Sequence, residues 1–214
     1  MPKASPPSGV LKILEKTYGE VKCELRYETP LQLLIATILS AQCTDVRVNK
    51  VAPALFRQYP TAETFAASRQ GDIEKIIYSL GFYRQKTKSI RSCCKVISER
   101  HGGQVPRQMD DLVQLAGVGR KTANVVLNEA FGLPAIAVDT HVLRTGARLG
   151  WIATRDPVKA EFEIMERVPK KWWRKFSLLM IHHGRQCCRA RGPACVSCPV
   201  LRKCPWGLEK VSGD

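Results

Sequence analysis

The sequence has no stretch approaching the roughly 18 apolar residues of a membrane span, which argues against a membrane partner. Its opening, Met1-Pro-Lys-Ala-Ser-Pro-Pro-Ser-Gly9, lacks the apolar stretch of an export signal and reads as a short disordered tail. Alternating strand patterns are scarce, and no repeat or low-complexity stretch follows the tail. Acid is also in short supply. Nineteen Asp and Glu face 34 Lys and Arg, a formal net charge of +15, and no acid stands between Arg167 and Lys203. Such an excess calls for a polyanionic partner, nucleic acid above all. Nine cysteines is an odd count, and without an export signal a disulfide framework is disfavoured. Metal ligation in a reducing compartment is the better expectation.

What the sequence does contain is helix signals. The 214 residues are 44% hydrophobic, enough for one large domain or two small ones. Thr29-Pro30 caps and opens a helix, and Leu31–Leu39 is apolar nearly all round, as in a helix at the centre of a domain. Ile73, Ile76, Ile77 and Leu80 repeat at helical spacing and stop at Gly81. A short helix opens at Asp110-Asp111 and ends before Gly117. The next runs from Lys121 to Phe131, stopped by Gly132 and Pro134. Asp139 stands at an N-cap, Asp156-Pro157 starts a further helix, and the last long one runs from Pro169 to Gly184. The expected class is all-α with short loops, in two helical lobes.

Gly117-Val118-Gly119 joins two of these helices. Glycines permit a tight turn with positive φ and leave backbone N–H groups uncovered, so the turn suits a DNA phosphate. Flanked by Leu115 and by Lys121-Thr-Ala123, it has the pattern of a helix–hairpin–helix. Lys121 falls in the first turn of the second helix, where the dipole opposes a positive charge and favours the neutral, nucleophilic amine. Asp139 follows the apolar run Ala135–Val138. A helix N-terminus favours the charged carboxylate there, so it caps its helix and can also sit near a developing cation.

Cys188, Cys195, Cys198 and Cys204 form a cluster with spacings of six, two and five residues. Four thiolates suit zinc or a 4Fe–4S cluster, and general rules leave the metal open. Cys187 breaks the spacing and falls outside the set. Cys23, Cys43, Cys93 and Cys94 read as core thiols. Arg185, Arg189, Arg191, Arg202 and Lys203 crowd the cluster, offset its charge and can face phosphates.

The run Leu115–Ala123, the Gly132/Pro134 loop and Asp139 resemble the helix–hairpin–helix, Gly/Pro-loop, Asp signature of DNA glycosylases. Leu39-Ser-Ala-Gln-Cys-Thr-Asp45, Val138-Asp-Thr-His141 and the cysteine spacing narrow the resemblance to endonuclease III, over about residues 10 to 206. It implies a bifunctional DNA glycosylase and AP lyase acting on double-stranded DNA that carries oxidised pyrimidines or abasic sites. Lys121 would be the nucleophile and Asp139 the electrostatic partner. Gln42 would fill the gap left by a flipped nucleotide, and Phe82 would act as a wedge. Gly117, Val118, Gly119, Arg120, His141, Arg144 and Arg191 would contact DNA. The four cysteines would hold a 4Fe–4S cluster.

The resemblance further implies a continuous six-helix domain over residues 24–134, with the hairpin. Residues 1–23 and 135–214 would form a second domain with the cluster, and DNA would lie in the cleft between them. A monomer in a prokaryotic cytoplasm, associated with the nucleoid, completes the expectation. Two competitors are an adenine-mismatch glycosylase and a non-catalytic iron–sulfur DNA-binding protein. The first would need a carboxylate that Leu31–Ala41 does not contain, and the second would not need Lys121 and Asp139.

Overall fold

Thr29 shows how local chemistry sets the architecture. Its backbone is extended, its hydroxyl accepts from the Gln32 N–H at 3.2 Å, and Pro30 occupies the first helical position. Asp156-Pro157 repeats the device, with the Asp156 carboxylate accepting from Val158 N and Lys159 N. The computed structural model describes residues 4–213, and all regular structure among them is helical. In chain order the helices are α1 Pro7–Tyr18, α2 Pro30–Leu39, α3 Asp45–Gln58, α4 Ala62–Ala67, α5 Gln70–Ile77 and α6 Tyr83–His101. Then come α7 Met109–Val113, α8 Arg120–Glu129, α9 Thr140–Arg148, α10 Pro157–Arg167, α11 Trp173–Gln186 and α12 Pro205–Ser212. Among the described residues, no helix is long and apolar enough to cross a membrane.

The chain divides into two compact units, one of Met1–Lys22 with Pro134–Asp214 and the other of Cys23–Leu133. In the continuous unit α2 is the hub. Every residue from Leu33 to Leu39 is buried, and the helix packs against α3, α6 and α8. At about 1.5–3 kcal/mol for each fully buried large apolar side chain, α2 alone contributes a large share of that unit's core. In the other unit α1 packs on α11, and α11 on α9. Its core joins Val10, Leu11 and Leu14 to Val142, Trp151 and Phe176.

Several element boundaries differ from the sequence reading. Residues 1–3 of the expected tail lie outside the described residues, but Pro7, Ser8 and Gly9 belong to α1, because Val10, Leu11 and Leu14 anchor that helix in the core. Helix α5 ends at Ile77, although Leu80 is still buried. Helix α8 stops at Glu129, two residues before Phe131. A 3₁₀ turn, Lys170–Trp172, precedes α11, which runs past Gly184 to Gln186. Gly184 is a point of close approach, since a Cβ there would lie 3.0 Å from His141 Nδ1. Cys93 and Cys94 are core thiols, whereas Cys23 and Cys43 are only half-buried, so two of the four expected core thiols are not in the core.

Candidate active site and cysteine centre

The hairpin is built on buried Leu112, Leu115 and Val118, which fix the connection between α7 and α8. Gly117 has φ +79°, and a Cβ on it would stand 2.8 Å from Ser89 Cβ, so both backbone and space demand glycine. Gly119 differs from the expectation. It caps α8 with φ −88° and has open space where a Cβ would sit. Its role is exposure, because no side chain caps the α8 N-terminus. The first N–H groups of that helix can therefore take an anion. Lys121 follows in the first turn and is exposed, whereas Val118 is buried and serves as an anchor for the turn. Lys121 acts electrostatically on Cys23. That thiol is pushed up to about 11, chiefly by burial, with Glu129 and Asp45 adding to the rise and a backbone hydrogen bond at Leu25 and the Lys121 charge opposing it.

Gln42 and Phe82 come together in the same unit. They are the two non-glycine residues with positive φ among those described, at +52° and +57°. Holding a side chain in that region costs on the order of 1–3 kcal/mol, and such strain gathers at binding and catalytic sites. Gly81, expected as a helix stop, supplies proximity instead. A Cβ on it would lie 4.0 Å from the Gln42 carbonyl oxygen, so the two strained turns are neighbours. Both side chains are exposed, Phe82 to 67%.

Asp139 belongs to the other unit. Its carboxylate accepts from Val142 N at 2.8 Å, and its carbonyl accepts from Leu143 N at 2.9 Å, so the capping role holds. The preceding run Ala135–Val138 is buried, and Ala137 N donates to Ser177 Oγ at 2.9 Å, which ties the run to α11. One turn into α9, Arg144 directs Nη2 to the Gly184 carbonyl at 2.9 Å and to His141 Nδ1 at 3.1 Å. Its Nε donates to the Cys188 carbonyl at 3.1 Å. Arg144 is thus a clamp between α9, α11 and the first cysteine of the cluster, a role the sequence did not reveal. Arg191 is exposed in the loop beyond.

Cys188, Cys195, Cys198 and Cys204 line one cavity, together with Cys187, His183, Arg148 and Trp206. Burial is the largest cause that pushes Cys198 up to about 12 and Cys204 up to about 11, and neighbouring thiols add to it. Such a set needs added positive charge to become thiolate. N–H donors already point at the sulfurs, Arg148 Nη1 to Cys188 at 3.2 Å and Gly207 N to Cys204 at 3.3 Å. His183, pushed down to about 4 by burial, places Nε2 3.9 Å from Cys198 Sγ and has Tyr18 Oη 2.8 Å from Nδ1. Ligand atoms of His183, Cys187 and Cys198 all lie within 4.8 Å of one another, so Cys187 shares the cavity although its spacing set it apart. The donor set fits a thiolate-bound metal centre.

This combination of an all-helical fold, a glycine hairpin with a following lysine and a capping aspartate defines a class. Residues 35–170 match the family model of the HhH-GPD superfamily base excision DNA repair proteins. An endonuclease III from Synechocystis sp. is 50% identical over 197 residues, covering 92% of this chain and 90% of that protein. The structure of a non-covalent endonuclease III–DNA complex is similar with a TM-score of 0.91 and 42% identity, over 99% of this chain and 100% of that one. A trapped covalent endonuclease III–DNA intermediate, an estranged-adenine complex, is similar with a TM-score of 0.89 and 41% identity, over the same shares. The chain belongs to the endonuclease III family within that superfamily.

Proposed function

We propose that the protein is a base-excision DNA glycosylase with AP lyase activity on oxidised pyrimidines, with Lys121 as nucleophile. The observation that carries this reading is the exposed Lys121 in the first turn of α8, directly after the phosphate-binding hairpin. The phosphate held by the hairpin N–H groups fixes the strand, and a flipped nucleotide brings C1′ to the amine. Lys121 Nζ forms a bond to C1′ as the bond to the base breaks. The base leaves with the electron pair and takes up a proton. Ring opening gives an iminium ion. Loss of a C2′ proton then breaks the C3′–O bond and nicks the strand 3′ to the site. Asp139 supplies negative charge to the cationic sugar and assists proton transfer. Gln42 occupies the vacated position and Phe82 wedges the stack. Gly117, Gly119, Arg120, His141 and Arg191 complete the DNA contacts, with Val118 holding the hairpin's shape and Arg144 clamping α9 to α11 and Cys188.

Cys188, Cys195, Cys198 and Cys204 hold a 4Fe–4S cluster in this reading. The cluster would supply the positive charge that stabilises the thiolates of half-buried Cys188, Cys195 and Cys198 and buried Cys204, and would cross-link the loop that presents Arg191. The protein acts as a monomer on cytoplasmic, nucleoid DNA. The test is borohydride treatment on duplexes containing an abasic site or thymine glycol. Wild type is trapped covalently and nicks the strand. Lys121→Gln loses trapping and nicking yet keeps duplex binding. Asp139→Asn keeps its capping oxygen and its fold but slows base excision by about 10²–10³. Near-normal trapping by Lys121→Gln overturns the assignment.

A further inference from the structure

The segment that joins α5 to α6 exposes more aromatic surface than packing requires. Ile73, Ile77 and Leu80 satisfy the core. Tyr78 is left 69% exposed, and its ring centroid lies 5.2 Å from that of Tyr83 at an interplanar angle of 57°. The Arg84 guanidinium stands 5.4 Å from the Tyr83 ring centroid. Phe82, which directly precedes Tyr83 in sequence, is strained at φ +57° and 67% exposed, beside the strained Gln42 turn. Tyr78 and Phe82 are both exposed on the one short segment between α5 and α6, so each leaves ring surface open to a ligand.

The chemistry of the surroundings selects the occupant. Helix α6 carries Arg84, Lys86, Lys88, Arg91 and Lys95 before its first acid, Glu99. Arg84 and Lys88 are exposed near the helix start. A flat, uncharged π-face flanked by exposed cations matches a nucleobase with phosphates on either side. Apolar protein partners would not need the cations, and a bare polyanion would not need the rings. Phe82 is already assigned to the wedge, so the base next to it is the one left unpaired opposite the flipped nucleotide.

We propose that Tyr78 is a specificity-determining residue for the glycosylase reaction. Its ring stacks on the orphaned base of the undamaged strand and couples excision to the identity of that base. This rests on the glycosylase reading above. A purine offers a larger face than a pyrimidine, so lesions opposite purines are held better and excised faster. The coupling acts on strand placement and leaves the Lys121 chemistry untouched.

The test compares wild type, Tyr78→Ala and Tyr78→Phe on thymine glycol placed opposite adenine, opposite cytosine and opposite a base-free tetrahydrofuran residue. Opposite adenine, Tyr78→Ala loses kcat/KM by about 5- to 150-fold, the range for loss of one base–aromatic stack. The loss is smaller opposite cytosine, and rates opposite tetrahydrofuran equal those of wild type. Tyr78→Phe keeps the ring and behaves as wild type throughout. Fluorescence of 2-aminopurine in the opposite position, quenched on binding to wild type, recovers in Tyr78→Ala. Equal losses with and without an opposite base, or no loss at all, overturn the proposal. Failure of wild type to be trapped on any duplex would instead overturn the glycosylase reading, so the two failures are distinct.

Discussion

Lys86 is 4% exposed, and its Nζ has no hydrogen-bond partner among the described residues. Burial holds its pKa below the usual lysine value, with the Cys43 thiol acting weakly in the opposite direction. A buried, unpaired ammonium destabilises a fold because its desolvation is not compensated, so an apolar side chain of similar volume is favoured in its place. The position of this cost is informative. Lys86 lies one turn beyond Phe82, and its electrostatic neighbour Cys43 follows Gln42, so it sits by both strained turns. Local stability given up beside a binding surface is a common trade-off with activity. Lys86→Met is therefore expected to raise the thermal midpoint at neutral pH. The sign with pH follows from linkage. A base with a depressed folded-state pKa penalises folding most below that pKa, and the penalty fades as pH rises toward the unfolded value near 10.4. The stability gap between Lys86→Met and wild type should thus shrink between neutral pH and about pH 10. Denaturant unfolding across that range checks it, and a variant less stable than wild type at pH 7 would contradict the account.

At the scale of elements, the hairpin separates two glycines that the sequence presents as equals. Gly117 combines φ +79° with a Cβ position 2.8 Å from Ser89, whereas Gly119 has an ordinary φ and open space. Gly117→Val should destabilise the continuous unit by at least the roughly 1–3 kcal/mol of a forced backbone. Gly119→Ala should leave the thermal midpoint nearly unchanged. Gly117→Val should weaken binding of damaged and undamaged duplexes together, because phosphate contacts carry no sequence information. Melting curves and duplex titrations test the pair, and a loss confined to one lesion would mean that the turn reads bases. The same contrast explains what was legible. Thr29, Asp139 and Asp156 could be assigned as caps because capping is chemistry within three residues of chain. Gly184 was misread as a stop because its reason, the approach of α9, is tertiary. The strain at Gln42 and Phe82 and the exposure of Tyr78 were not legible at all. Spacing marks which positions face a core, but it does not say where neighbours force a non-glycine residue to positive φ.

For the whole molecule, a charge of +15 and the acid-free stretch from Arg167 to Lys203 made a nucleic-acid partner legible without any fold. The four cysteines were likewise legible as one centre because their ligand spacing is local, and they do line one cavity. The division of labour among the arginines was hidden, since charge counts treat each as a surface cation. Arg144 spends donors on the carbonyls of Gly184 and Cys188, and Arg148 spends its own on Cys188 Sγ and the Arg189 carbonyl. Arg191 is exposed. Salt dependence reads this difference directly. Each phosphate neutralised releases condensed counterions, so log affinity falls linearly with log salt at about −0.9 per contact on B-DNA. Arg191→Ala should weaken binding to undamaged duplex and make the slope shallower by about one contact, with little change in thermal midpoint. Arg144→Ala should behave in the opposite way. It breaks three hydrogen bonds to groups within its own unit, two of them to backbone carbonyls, so the thermal midpoint falls while the slope stays that of wild type. Fluorescence titrations between about 50 and 200 mM salt, spanning the range where a 6- to 10-contact protein loses on the order of 10³–10⁵ in affinity, resolve one contact. A shallower slope with an unchanged midpoint for Arg144→Ala would place its guanidinium on a phosphate and remove it from the clamp.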